Sequence, residues 1–233
     1  MACLRLGKGI LMTLKVGIYL FDEVEVLDFA GPFEVFSTAS RMAERDSMSS
    51  PFAVTTLGPS TKPVKARAGL QVVPQHTLAR HPEYDVLIVP GGVVTAELAR
   101  DGFSDWLVRQ SLQLKVLASI CTGAFLLEKA GLLNEREVIT HWEDIDDLKA
   151  AARASGSLAQ VLSNQRWVEA KPWVHHGGRC RLFSSAGISA GIDLSLHLVS
   201  ELASPELALR TARQMDYDWR GANGAMVQPG LGL

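Results

Sequence analysis

The chain alternates short apolar runs with mixed stretches, and the spacing of the two lays out an α/β plan. Residues 15–21 (KVGIYLF) are a continuous apolar run rich in β-branched and aromatic side chains, which predicts a buried strand. After a polar turn, Leu27-Asp28-Phe29-Ala30-Gly31-Pro32 leads into a helix continued by Phe33, Val35 and Phe36. Pro32 suits a first helical turn, where its missing N–H is not needed. Residues 53–57 (AVTTL), 70–73 (LQVV) and 86–89 (VLIV) read as three further strands, the last stopped by Pro90-Gly91-Gly92. A helical stretch over 103–114 precedes a fifth strand, 115–120 (KVLASI). Cys121-Thr122-Gly123 interrupts it, and 124–130 is expected to be a helix ended at Gly131.

Strands that are apolar throughout, alternating with helices, indicate a parallel sheet covered on both faces. The expected fold class is therefore α/β, a doubly wound and mostly parallel sheet with its ligand crevice at the carboxyl ends of the strands. Asp28, Gly91-Gly92 and Cys121 all fall just after predicted strands, so one edge of the sheet would gather them.

The second half is less regular. A short strand over 138–140 ends at His141-Trp142, and 143–154 is a charged helix. The segment 182–187 (LFSSAG) runs from a strand into a helix over about 188–202, and a last helix covers about 205–217. The stretch 155–180 is long, and its Val161-Leu162 and Trp167-Val168 pairs suggest an added hairpin. The expected organisation is an N-terminal extension (1–14), one domain (15–220) and a flexible, Gly-rich tail (221–233).

Composition changes this picture little. A net charge of −2 gives no electrostatic case for nucleic acid or an anionic membrane as partner. No apolar run reaches the roughly 18 to 20 residues that span a bilayer. The opening MACLRLGKGILMTLKVGIYLF resembles a weak signal peptide but lacks a small-residue cleavage site, and Met12 reads as the natural start. Cys3, Cys121 and Cys180 are odd in number and form no CxxC pair, which argues against a disulfide framework or a structural zinc. Reduced thiols and a cytoplasmic location are expected.

The chemistry concentrates at Ser119-Ile120-Cys121-Thr122-Gly123. A nucleophile between a strand and a helix, flanked by small residues, has the elbow geometry that lifts a reactive side chain above a sheet. A helix start there would favour an anion and lower the thiol pKa. The plainer alternative is an inert cysteine closing a core strand. Gly91-Gly92 lets the backbone approach closely, and the N–H groups of Gly92 and Thr122 could form an oxyanion-type hole. Otherwise it is a simple turn. Asp28 is an acid in an apolar stretch, either a helix N-cap or a general acid sharing a proton with Cys121. His141 reads as a structural hydrogen-bonder, and His175-His176 lacks the further ligands that a metal would need.

Taken together, LDFAGPFEVF, VLIVPGG, SICTGAFLLEKAGLL, ITHW, SAGISAGIDLSLHLV and ARQMDYDWR resemble the ThiJ/PfpI superfamily over about 15–220. Within it they look most like the isonitrile hydratase-like branch. The resemblance implies a flavodoxin-like, class I glutamine amidotransferase-like fold and a small-molecule hydro-lyase. In that reading Cys121 attacks the terminal carbon of an isonitrile and Asp28 supplies the proton. The backbone of Thr122 and Ile188 holds the sulfur, no cofactor or metal takes part, and the protein is a homodimer. Thr122 stands where peptidase-like and amidotransferase-like members carry a His, and Asp28 where redox-protective members carry a Glu. The first departure disfavours a peptidase. The chain stops where regulators of this superfamily append a helix-turn-helix, which disfavours a DNA-binding regulator. A redox sensor, or a glyoxalase- or deglycase-like enzyme, are the alternatives.

Overall fold

The computed structural model describes residues 12–175 and 178–227. Along the chain, β1 (Leu14–Tyr19) leads into α1 (Val26–Arg45) and β2 (Phe52–Gly58). Short strands β3 (Val64–Lys65), β4 (Gln71–Val72) and β5 (His76–Thr77) follow, then β6 (Val86–Val89), α2 (Thr95–Leu98) and α3 (Phe103–Ser111). β7 (Val116–Ile120) and α4 (Gly123–Lys129) come next, followed by β8 (Glu137–Val138), α5 (Ile145–Ser155) and β9 (Gln160–Val161). A long hairpin of β10 (Trp167–His175) and β11 (Gly178–Ser185), then α6 (Ala190–Leu202) and α7 (Pro205–Gln214), close the fold.

Seven strands form the main sheet in the order β10-β11-β7-β6-β1-β2-β5. All neighbours are parallel except β10 with β11. The expected mostly parallel, doubly wound sheet is what the structure has. Strands β1, β6 and β7 are its centre, and their apolar runs are buried along nearly their whole length because helices cover both faces. α1, α6 and α7 pack on one another on one face, and α3, α4 and α5 on the other.

Two expected strands lie elsewhere. The apolar 70–73 run contributes only β4, which pairs antiparallel with β3 outside the main sheet. Ala68 and Gly69 take positive φ (59° and 89°) and turn the chain back, leaving Leu70 and Val73 exposed. The 138–140 run gives only β8, which pairs with β9 away from the sheet. The 155–180 stretch does hold a hairpin strand, and it widens the main sheet.

The Gly-rich stretch after Arg220, expected to be a loose tail, is fastened as far as Val227. Gly221 N–H donates to the Ala225 carbonyl at 2.8 Å and Val227 N–H to that of Trp219 at 2.8 Å. Arg166 N–H reaches the Ala222 carbonyl at 2.7 Å. Residues 1–11, with Cys3, and 228–233 lie outside the described residues. Among the described residues no helix is long and apolar enough to cross a membrane.

Candidate active site at the strand ends

At the carboxyl end of β7 the chain turns sharply, and Cys121 sits in the left-handed region with φ 55°. A non-glycine residue there is uncommon and needs its surroundings to hold it. Its N–H donates to the Ser185 carbonyl at 3.1 Å, and its carbonyl accepts from the Thr140 hydroxyl at 2.9 Å. The elbow is thus pinned to β11 on one side and to the segment before His141 on the other. Two glycines press against it. A Cβ on Gly91 would fall 2.9 Å from the Cys121 Cβ, and one on Gly187 (φ 113°) would fall 3.0 Å from its Sγ. The thiol is therefore closely packed at the strand-end cleft of the sheet, with the residue only 8% exposed.

Asp28 comes up beside it from the first turn of α1. It is not a cap: the N-cap position is Glu25, and no side chain bonds there. The Asp28 carboxyl is fully buried (0%) and held by two backbone donors. Gly91 N–H reaches Oδ2 at 3.0 Å and Ile188 N–H reaches Oδ1 at 3.1 Å. The carboxyl also contacts the Cys121 thiol. Burial dominates its titration and pushes it up to about 7, against the pull of the two N–H groups.

The thiol moves in the direction opposite to expectation. Burial and then the Asp28 charge push Cys121 up to about 12, with a smaller push from Asp144, while the backbone and hydroxyl of Thr122 pull it down. Proximity to the start of α4 is outweighed by loss of water and by a neighbouring acid. At neutral pH the sulfur is thus protonated, while Asp28 lies close to the pH at which it exchanges its proton. The two groups titrate as a unit.

The backbone donors are distributed differently from the expected hole. Gly92 N–H does not face the sulfur; it donates to Thr122 Oγ1 at 2.9 Å, and that hydroxyl donates to the Gly92 carbonyl at 2.8 Å. Gly92 is where glycine is needed for packing: its φ is 132°, and a Cβ would come 2.2 Å from the Glu23 carbonyl. Ile188, placed by resemblance on the sulfur, donates instead to Asp28. The helix expected from residue 188 starts at Ala190, because Gly187 and Ile188 (φ 46°) both take positive φ and form a turn. Ile188 is 40% exposed, a β-branched residue held in an unfavourable conformation at the rim of the cleft.

Among the described residues, the other candidates make no hydrogen bond or ion pair with the thiol. His141 Nδ1 lies 3.5 Å from Asp144 and 3.7 Å from Glu143, an arrangement of the loop itself. Cys180 is buried within β11. His176 lies outside the described residues, and among the described residues no three His, Cys, Asp or Glu side chains group as metal ligands. Sequence reasoning gave no role to the Arg166–Asp193 ion pair, which lies beneath the Gly187–Ser189 turn. The available signal was an acid inside the apolar ISAGIDLSLHLV, the same oddity that marked Asp28.

An α/β sheet with a cysteine elbow and an acid cradled by backbone amides defines a class, and the chain belongs to the DJ-1/PfpI family, which it matches over residues 14–201. Among individual relatives, it is 30% identical to an isonitrile hydratase from Pseudomonas putida, over 88% of this chain and 79% of that protein. It is 25% identical to the HTH-type transcriptional regulator GbdR of Pseudomonas aeruginosa, spanning 88% of this chain but about half (51%) of the regulator. The fold is also that of a crystallised ThiJ/PfpI family protein from Pseudomonas syringae, with TM-score 0.70 at 22% identity, covering 96% of this chain and 79% of the other.

Proposed function

We propose that the protein is a cysteine-dependent small-molecule enzyme that hydrates an isonitrile to an N-substituted formamide. The observation that carries this reading is the Asp28 carboxyl: fully buried, lying on the thiol, held by two amides and pushed up to about 7. Such an acid can both take and give a proton at neutral pH. A thiol at about 12 is a poor nucleophile until a base removes its proton, and Asp28 is the base within reach. The close packing of Gly187 against the sulfur suits a slender end group such as a terminal isonitrile carbon.

The steps balance with water as the sole co-reactant. As Sγ bonds to the terminal carbon of R–NC, the thiol proton passes to the Asp28 carboxylate and from there to that carbon, leaving a thioimidate R–N=CH–S. Water then adds to the same carbon; Asp28 takes its proton and delivers it to nitrogen. Collapse of the adduct breaks the C–S bond, and the hydroxyl proton returns through Asp28 to sulfur. The products are R–NH–CHO and the free thiol. The Thr122 N–H faces the sulfur and steadies negative charge there when the bond breaks.

The test is turnover of a panel of alkyl and aryl isonitriles by the purified protein, read by formamide appearance. Formamide made by the wild type but not by Cys121→Ala supports the proposal. No turnover on any of the panel overturns the substrate assignment.

A further inference from the structure

The Gly187–Ser189 turn is held by a network that no step above uses. Arg166, at the entry to β10, is its hub. Its Nε donates to the buried Asp193 on α6, and its Nη2 donates to Ser189 Oγ at 3.1 Å. Its backbone joins the same assembly: Ala186 N–H donates to the Arg166 carbonyl at 2.8 Å. The chain beyond α7 completes it. Arg220 N–H donates to the second Asp193 oxygen at 2.8 Å, Trp219 Nε1 to the Asp193 carbonyl at 3.2 Å, and the Tyr217 hydroxyl to the Ser189 carbonyl at 3.2 Å. Two of these bonds land on Ser189 and three on Asp193, so the short segment around Ile188, whose positive φ a β-branched side chain resists, is tied to α6 and to the chain beyond α7. On the active-site side that segment packs Gly187 against the Cys121 sulfur and aims the Ile188 N–H at Asp28 Oδ1.

We infer that Arg166 is a positioning residue: by bridging Asp193 and Ser189 it locks the strained Gly187–Ser189 turn, and so keeps the Ile188 amide on the Asp28 carboxyl. This rests on the reading of Asp28 and Cys121 as a proton-sharing pair. An N–H bond favours the ionised carboxylate, so loss of the Ile188 donor makes Asp28 release its proton at higher pH. Charged groups acting on the pair are Glu25 before α1 and Asp144 before α5, the latter paired with His141; Gly91, Gly92 and the turn itself contribute no titratable side chain. Arg166, Asp193 and Tyr217 interact with one another and bond the turn at Ser189.

The experiment measures the rate of Cys121 alkylation by iodoacetamide against pH, which needs no isonitrile, together with thermal melting. Wild type is expected to show a first rise in rate centred near 7, set by Asp28. In Arg166→Gln that midpoint moves up by about one unit, the size expected for losing one hydrogen bond to a charged group. Arg166→Lys keeps the positive charge and can hold Asp193 but not Ser189 at once, so it moves the midpoint less, in the same direction. Ser189→Ala, which removes one acceptor and strands no charge, gives the smallest upward shift and keeps the test open if Arg166→Gln fails to fold. A lower melting temperature in Arg166→Gln with an unmoved midpoint overturns the inference, as does a midpoint restored fully to the wild-type value by Arg166→Lys. With Arg166→Gln unfolded, an unmoved midpoint in Ser189→Ala does the same. A wild-type profile with no rise near 7 instead overturns the proton-sharing pair.

Discussion

Among the described residues two thiols are buried, and their surroundings differ. Burial pushes both Cys121 and Cys180 up to about 12. Cys180 sits within β11, fully buried, with backbone groups beside its sulfur: the Arg181 carbonyl at 3.6 Å and the Leu117 backbone of β7. Cys121 stands at a strand end in a strained conformation, with the Asp28 carboxyl on one side and Thr122 on the other. Burial therefore does not separate the two, although on the proposed reading only Cys121 is reactive. The separation lies in a group that can accept the thiol's proton, and in a backbone bend that presents the sulfur to the strand-end cleft.

The largest effect expected from this contrast is on the sulfur itself. Cys121→Ala should lower turnover by a factor on the order of 10⁴ or more, as loss of a nucleophile does elsewhere. Cys180→Ala should leave turnover unchanged. Steady-state rates with both variants check it, and equal losses would erase the distinction between the two thiols.

Next comes the neighbour. Asp28→Asn keeps the shape but cannot carry a proton, so turnover should fall on the order of 10² to 10⁴. The same variant tests a stability prediction. The unfolded chain releases the Asp28 proton near 3.8 and the folded chain near 7. The native state thus binds the proton more tightly, which stabilises the fold fully below about pH 4, and this contribution is lost as pH rises through about 7. The span corresponds to a free energy on the order of 4 kcal/mol, since Asp28 is fully buried. Urea unfolding at intervals from pH 4 to 8 should show this decline in wild type and its absence in Asp28→Asn.

How much of this contrast was legible in the chain alone depends on how local each feature is. The elbow was legible because strand, cysteine, Thr-Gly and helix follow one another within a dozen residues. Asp28 was legible as an acid out of place in an apolar segment. Its partner was not: Ile188 lies 160 residues away, and only the closed sheet and α6 bring its amide to the carboxyl. The direction of the thiol's titration was missed for the same reason, because a helix start can be read locally whereas depth of burial is set by the whole fold. The 70–73 run misled because apolar composition alone says nothing of the positive-φ turn at Ala68 and Gly69 that takes it out of the main sheet. Arg166 and Asp193 were passed over because an ion pair between distant segments leaves no spacing to read.

A smaller effect probes the shape of the cleft. Gly187→Ala would set a methyl about 3 Å from Sγ at a φ that side chains rarely adopt. The expected cost is about 1 to 3 kcal/mol of stability. Alkylation of Cys121 should slow about tenfold with its pH midpoint kept, a change of the size that one misplaced contact produces. A shift of the midpoint would mean that the methyl had dislodged Ile188 rather than blocked the sulfur.

The smallest effect belongs to Cys180, and it carries the comparison to its limit. If burial were what tunes these thiols, opening the packing around Cys180 would begin to make it resemble Cys121. If the proton acceptor is what matters, it would not. Cys180→Ala should cost about 1 kcal/mol, the ordinary value for a small loss in a core, and change nothing at the elbow. The sharper measurement is alkylation of Cys180 itself in a Cys121→Ala background under mild denaturant. As local opening exposes it, the rate should rise with pH in a single step toward the ordinary thiol value near 9, with no rise near 7. Exposure would bring water to that sulfur but no carboxyl. A step near 7 at Cys180 would show that the lower transition does not come from Asp28, and the difference between the two thiols would have to be sought elsewhere.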